Sequence, residues 1–119
     1  MISEEKAAAF AKEWIGAWNA HDLDRILAHY REDVEFRSPF VAQIAGEPSG
    51  CLKGTARLRA YFAEALKKYP DLAFTDVRAH AGVSSITLTY ISVKGLHAAE
   101  VMVLDEAGRV VRVDAHYAR

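Results

Sequence analysis

The hydrophobic positions of the chain follow two periods, which divide it into a helical part and a strand part. Up to Pro70, most apolar side chains recur every three or four residues, the spacing of one face of an α-helix. After Pro70 the interval falls to two, which is typical of half-buried strands. Helices followed by a run of antiparallel strands indicate an α+β fold, and 119 residues suit a single domain over 1–119.

Three helices are predicted in the first part. Ser3 can cap the first, with Glu4 and Glu5 favourably placed in its first turn. Asp22 caps a shorter second helix, and a third runs from about 55 to 69, where Pro70 stops it. The apolar stripe of the first helix is formed by Ala7, Phe10, Ala11, Trp14 and Trp18.

A strand is predicted between the second and third helices, in "VEFRSPF" (34–40). Alternation puts Val34, Phe36 and Ser38 on one face, and Pro39 closes the strand. The stretch 41–54 contains three glycines and a proline, which predicts a loop with a short extended piece inside it.

Four more strands are predicted at 72–80, 84–93, 96–104 and 109–118, with turns between them. An antiparallel sheet curved by its twist and covered by helices on one face forms a cone. The predicted fold is therefore a cone-shaped, curved antiparallel sheet packed against three N-terminal helices. The mouth of such a cone can leave a cavity, and small domains with a cavity usually bind a small molecule there.

The last two strands form a hairpin whose register can be predicted from "DEAG" as a four-residue connection. Leu104 then faces Arg109, Glu100 faces Val113, and His97 faces His116. The set that contains Glu100 is mostly apolar, so it should face the helices. The other set, with Val110 among its members, is half apolar and predicts a homodimer packed sheet to sheet. Metal binding by the two histidines is a less favoured alternative, because no third ligand is evident.

Glu100 is the strongest candidate for chemistry. It lies in an apolar wall beside Met102 and Val113, where burial should raise its pKa above the usual value of roughly 4.3. A neutral carboxylic acid can donate a hydrogen bond to a developing oxyanion. The alternative is a structural glutamate paired with a backbone group or an arginine, and the sequence leaves both open.

Several aromatic residues either line a ligand cavity or fill the core. A buried indole N–H or phenol needs a hydrogen-bond partner, which favours a polar spot near Trp14 and Tyr30. The candidate ligand-binding residues are Trp14, Trp18, Tyr30, Phe36, Phe40, Phe62, Met102, Val113 and Tyr117.

Charge and cysteine content narrow the choice of partners. Fifteen basic residues nearly balance sixteen acidic ones without a basic block, so no nucleic-acid partner is expected. The single cysteine, Cys51, excludes an internal disulfide and a cysteine-based zinc site. The start of the chain has no long apolar run, which predicts no membrane association and a cytoplasmic protein.

The chain resembles the NTF2-like superfamily, in its SnoaL-like and ketosteroid isomerase-like branch, over nearly its whole length. The resemblance rests on "EWIGAWNAHDLDRILAHYREDVEF", "SPF", "GTARLRAYFAEAL" and "EVMVLDEAGRVVRVDAHY", and on the order of the predicted elements. It implies the cystatin-like α+β barrel fold. It does not fix the function, because this fold hosts isomerases, cyclases, hydrolases, dehydratases and binding proteins.

Residue by residue, the resemblance implies a site with one part missing. Glu100 takes the position of the protonated aspartic acid that donates to the oxyanion in steroid isomerases. Trp14 replaces a donor tyrosine, and Ser38 replaces the aspartate that acts as general base. A serine cannot shuttle a carbon-bound proton without a base beside it, so Ser38 is better suited to hydrogen bonding. In several SnoaL-like enzymes an acidic residue on the last strand takes part in the chemistry. The inward position here is Ala115, while the adjacent Asp114 should point outward.

Two functions follow as expectations. One is cofactor-free isomerisation, cyclisation or dehydration of a small apolar carbonyl compound, with Glu100 and Ser38 as the candidate catalytic residues and no metal. The other is a non-catalytic homodimeric domain that binds a ligand or has a structural role.

Overall fold

The computed structural model describes all residues from Met1 to Arg119 and has four helices and six strands. The helices are α1 (Glu4–Asn19), α2 (Leu23–Leu27), α3 (Pro39–Ala45) and α4 (Thr55–Lys68). The strands are β1 (Tyr30–Arg37), β2 (Cys51–Lys53), β3 (Thr75–Ala81), β4 (Ser85–Ile91), β5 (His97–Leu104) and β6 (Val110–Ala118). A short 3₁₀ turn, Val93–Gly95, joins β4 to β5.

The predicted caps begin the first two helices. The Ser3 hydroxyl accepts a hydrogen bond from the Lys6 N–H at 3.1 Å, and Asp22 Oδ1 accepts one from the Arg25 N–H at 3.2 Å. Each bond satisfies an N–H that the first turn of a helix leaves without a partner. None of the helices combines the length and the apolar character needed to cross a bilayer.

The sheet has the strand order β2–β1–β6–β5–β4–β3 and curves around the helices without closing. This confirms the predicted α+β fold with its curved sheet. One detail differs, because β1 runs parallel to β6 and the sheet is therefore mixed. Most of the chain lies between these two strands, and such a long connection allows a parallel pair.

Helix α3 was not predicted, since its residues were assigned to a strand end and a loop. Its boundaries follow ordinary capping rules. Ser38 is the N-cap, Pro39 occupies the first turn, and Gly46 ends the helix in the left-handed conformation at φ 70°. The expected extended piece inside the loop is β2.

The β5–β6 hairpin keeps the predicted faces but not the predicted partners. Glu100 pairs with Ala115 instead of Val113, and His97 pairs with Ala118 instead of His116. The loop holds one residue more than expected, and an irregularity between the Val103 and Leu104 rungs adds another. A shift of two residues leaves every side chain beyond the irregularity on its original face. Val110 lies between the turn and this irregularity. It is buried, whereas the prediction placed it on the outer face.

The core is one cluster of 24 buried residues between the concave face of the sheet and the helices. Its largest fully buried members include Trp14, Phe62, Met102 and Val113. Burial of this much hydrocarbon is the main contribution to the stability of a small domain.

Candidate functional site

A hollow remains between the core and the open end of the sheet. Most of its walls are aromatic, and every helix except α2 contributes. The lining residues are Trp18, Phe36, Phe40, Ile44, Tyr61, Phe62, Ala65, Tyr69, Leu72, Phe74, Tyr90, Ser92, Val93, Glu100 and Tyr117.

The hollow is narrow. Its cavity volume is about 50 Å³, and about 490 Å³ of space lies between its walls when the opening to solvent is counted. Pockets for drug-sized ligands usually measure roughly 300–1,000 Å³. The interior therefore suits a small group, while any larger part of a ligand would lie in the opening.

Glu100 is the acidic residue of this cavity. Its place on β5 turns it inward, opposite the small side chain of Ala115, and it is only 4% exposed. The Tyr90 hydroxyl donates a short hydrogen bond to Glu100 Oε2. The other oxygen, Oε1, has no hydrogen-bond partner in the protein. It keeps some accessible surface, so it is open to the cavity.

Burial controls the acidity of Glu100. Loss of hydration raises the pKa of its carboxyl from the usual 4.5 to about 7, although the hydrogen bond from Tyr90 opposes this rise. No salt bridge in the structure includes Glu100, so no cation of the protein stabilises its ionised form. Near neutral pH both the acid and the carboxylate are populated.

Three cavity phenols interact with this carboxyl. Burial raises the pKa of Tyr61, Tyr90 and Tyr117, and the negative charge of Glu100 raises each of them further. Hydrogen bonding by the Ser38 hydroxyl opposes the rise for Tyr61 and Tyr117. At neutral pH all three phenols stay protonated and can donate hydrogen bonds.

Ser38 does not line the cavity. It is 4% exposed, and its hydroxyl accepts a hydrogen bond from the Phe40 N–H at 3.2 Å as the N-cap of α3. The serine at the end of the strand therefore begins the next helix, beside the phenols of Tyr61 and Tyr117.

Four of the predicted ligand residues lie in the packed core instead of lining the cavity. Trp14, Met102 and Val113 are at most 1% exposed. The Trp14 Nε1–H donates to the Tyr30 hydroxyl at 3.2 Å, so the buried indole N–H has its partner inside the core. By contrast, Trp18, Phe36, Phe40, Phe62 and Tyr117 do line the cavity together with Glu100.

The model of the SnoaL-like domain matches residues 11–117. This chain belongs to the SnoaL-like family. A SnoaL-like protein of unknown function from Burkholderia thailandensis is 48% identical, with a TM-score of 0.94, and the match covers 99% of this chain and 98% of that one.

More distant structures share the fold of this SnoaL-like domain. A proposed ketosteroid isomerase from Kribbella flavida is 21% identical with a TM-score of 0.74, over 98% of this chain and 80% of that one. A proposed polyketide cyclase from Sinorhizobium meliloti is 9% identical with a TM-score of 0.75, over 97% and 100% of the two chains. At these identities the likeness extends to the fold alone.

Tyr90 lines the cavity of the SnoaL-like domain but is not among the predicted ligand-binding residues. It is the most informative of the residues that the predicted site lacks. The β4–β5 register pairs Tyr90 with Ala98 and Leu88 with Glu100, so Tyr90 is a diagonal neighbour of Glu100 on the concave face. A two-residue turn at 94–95 would have placed Thr89 opposite Glu100, whereas the observed register has a longer connection, 92–96, between the two strands. The remaining lining residues outside the predicted set are Ile44, Tyr61, Ala65, Tyr69, Leu72, Phe74, Ser92 and Val93.

The outer face of the last strand carries groups that do not reach the cavity. Asp114 pairs with Arg112 at 3.1 Å, and His116 is exposed. The inward neighbour of Asp114 is Ala115, as predicted. No three histidine, cysteine, aspartate or glutamate side chains converge to form a metal site.

Proposed function

We propose that this chain is a small-molecule-binding domain whose ligand places a compact apolar body among the aromatic walls and one polar group against Glu100. The observation that carries the proposal is a buried carboxyl with one oxygen open to a mostly aromatic cavity. A polar group is rarely retained in such surroundings without a partner, because its burial is costly.

The favoured ligand is a small carbonyl compound. In its neutral form Glu100 can donate a hydrogen bond from Oε1 to a carbonyl oxygen, with Tyr90 supporting the other oxygen. A donor of this kind stabilises an enolate, the intermediate of cofactor-free isomerisation or cyclisation. The isomerase and cyclase names of the two distant structures agree with this chemistry.

Non-catalytic binding is the second candidate, and a specific observation favours it. Ser38 holds the helix N-cap, and Ala115 holds the inward position on β6. Neither side chain can accept a proton from carbon, so a general base would have to be Glu100 itself.

Cyclohexanone tests the binding proposal. Heteronuclear NMR of the labelled protein should show shifts concentrated at Trp18, Tyr90 and Glu100, and saturation with increasing ketone. The ketone should bind more weakly above about pH 7, because ionised Glu100 loses its donor proton. Absence of binding to the cavity by ketone, alcohol or amine of this ring size would overturn the proposal.

The unsaturated ketone 3-cyclohexen-1-one then separates catalysis from binding. Conversion to the conjugated isomer faster than in buffer alone supports the catalytic candidate. In the non-catalytic candidate only Ser38→Asp, which supplies the missing base, should gain activity. If Ser38→Asp binds the ketone and gains no rate, position 38 cannot act as the base position.

A homodimer formed through the outer sheet face is also proposed. The half-exposed Ala99, Val101 and Val103 form an apolar stripe there. The Arg112–Asp114 ion pair lies beside it on β6, and the Glu35–Arg37 ion pair lies one strand further away on β1. Light scattering after size-exclusion chromatography should give twice the mass of 13.2 kDa, and Val101→Arg should halve that value. A monomeric parent chain would contradict the dimer without affecting the ligand proposal.

A further inference from the structure

The carboxyl of Glu100 has no counter-ion. The cavity lining contains no lysine, arginine or histidine. Buried carboxylates in proteins are normally paired with a cation or a metal, since an unpaired buried charge is costly. The free oxygen Oε1 keeps some accessible surface on a residue that lines the cavity, so a ligand in the cavity can reach it.

The walls around this carboxyl also suit a positive charge. Nine of the 15 lining residues are aromatic. Neighbouring rings contact each other closely, with centroids 4.5 Å apart for Phe74 and Tyr90 and 4.7 Å apart for Trp18 and Phe62. The faces of aromatic rings carry partial negative charge and attract ammonium groups, more strongly where water is excluded. The nine aromatic residues are Trp18, Phe36, Phe40, Tyr61, Phe62, Tyr69, Phe74, Tyr90 and Tyr117.

We propose that the cavity also binds small organic cations, namely protonated amines with a compact apolar body, whose ammonium group contacts Glu100 Oε1. This inference rests on the proposed function, because it takes the cavity to be a ligand site, and it adds a second ligand class to the neutral carbonyl compound. Anionic molecules are excluded, since no positive side chain lines the cavity and ionised Glu100 repels them.

The protonation state of Glu100 selects between the two classes. Tyr90 from β4, Tyr117 from β6, Tyr30 from β1 and Tyr61 from α4 all interact with its charge. The pKa of each of these phenols is raised, so they remain neutral while Glu100 titrates near 7. Amine binding should therefore strengthen as the pH rises through 7, whereas binding of a carbonyl acceptor should weaken.

Cyclohexylamine and cyclohexanol form the test pair, because they share one ring and differ in charge. Alkylamines titrate near the lysine value of about 10.4, so the amine stays protonated between about pH 5.5 and pH 8.5. At the higher pH, NMR titrations of the full chain should show that the amine binds more tightly than the alcohol, on the order of tenfold. At the lower pH the preference should shrink to less than about threefold.

Glu100→Gln should abolish the preference for the amine while retaining binding of the alcohol. Glu64→Gln is the matched control, since it removes one negative charge from an exposed position on α4 and should leave the preference intact. If Glu100→Gln fails to fold, the pH series of the unmodified chain remains a complete test.

Each other outcome overturns the inference in a distinguishable way. Alcohol or ketone binding with no preference for the amine at any pH contradicts the cation site and leaves the proposed function standing. An amine preference that persists in Glu100→Gln shows that the ammonium group does not depend on Glu100, which also contradicts the inference. Failure of all three ring compounds to perturb cavity residues overturns both proposals.

Discussion

Two successive inward-facing rungs of the β5–β6 hairpin face the same helices and have opposite character. Met102 and Val113 form one rung and are completely buried in hydrocarbon. Glu100 and Ala115 form the next, where a carboxyl faces a small methyl group and a hollow remains. The comparison shows that the cavity lies beside a rung in which alanine stands where the neighbouring inward rung has a larger valine, while the Met102–Val113 rung is part of the packed core.

Truncation of the packed rung should produce the largest effect. Met102→Ala removes a side chain with no exposed surface and should lower the free energy of unfolding by about 2–5 kcal/mol. Val103→Ala changes the next residue, on the half-exposed outer face, and should cost less than about 1 kcal/mol. Urea denaturation of both variants measures the difference. Equal losses would contradict the assignment of the two faces.

Replacement of the carboxyl in the cavity rung should have a pH-dependent effect. The folded state holds the Glu100 proton up to about pH 7, whereas the unfolded chain releases it near 4.5. Between these values the folded protein binds more protons, so this group lowers stability as the pH rises. Glu100→Gln removes the penalty. Relative to the parent chain it should therefore gain about 3 kcal/mol between pH 4.5 and pH 8. A gain that is independent of pH would show that the carboxyl is hydrated.

Tyr90 should tune the same titration. Tyr90→Phe removes the hydrogen bond that holds the pKa of Glu100 down, so that pKa should rise further. The variant should lose about 1–2 kcal/mol of stability above pH 8, where Glu100 is ionised, and less at pH 5. Thermal denaturation at the two pH values measures this. A larger loss at pH 5 would indicate that Glu100 donates the hydrogen bond to Tyr90, which is the reverse of the proposed direction.

Ser38 should have the smallest effect, through the end of a helix. Ser38→Ala removes the N-cap of α3 and should cost about 1 kcal/mol. Ser84→Ala, at an exposed position without a side-chain hydrogen bond, is the control and should be neutral. Amide exchange should quicken at 39–45 in the first variant only. Unchanged exchange there would argue against the capping role.

Much of the fold could be predicted because it depends on local patterns. The periods of three to four and of two gave α1, α2, α4 and the last four strands, and the caps at Ser3 and Asp22 set where the helices begin. The family resemblance was confirmed by the match over residues 11–117. The parallel pairing of β1 with β6 was missed, since it joins residues far apart in the chain.

The site was less predictable, because alternation gives the face of a residue but not its depth. Glu100 and Met102 share one face of β5. Their alternation in the sequence does not show how closely the helices pack against each of them. For the same reason Trp14 and Tyr30 were predicted to contact a ligand. In the structure each is the hydrogen-bond partner of the other. The contact between Tyr90 and Glu100 was not predicted, because it depends on the diagonal register of two strands.

The most direct test of the account is an NMR titration of the Glu100 side-chain carboxyl in the unliganded protein. A dehydrated carboxyl without a counter-ion should titrate with a midpoint near 7, and Tyr90→Phe should move that midpoint upward. A midpoint close to the ordinary value of 4.5 would mean that the group is hydrated or paired, and would contradict both the carbonyl and the amine site.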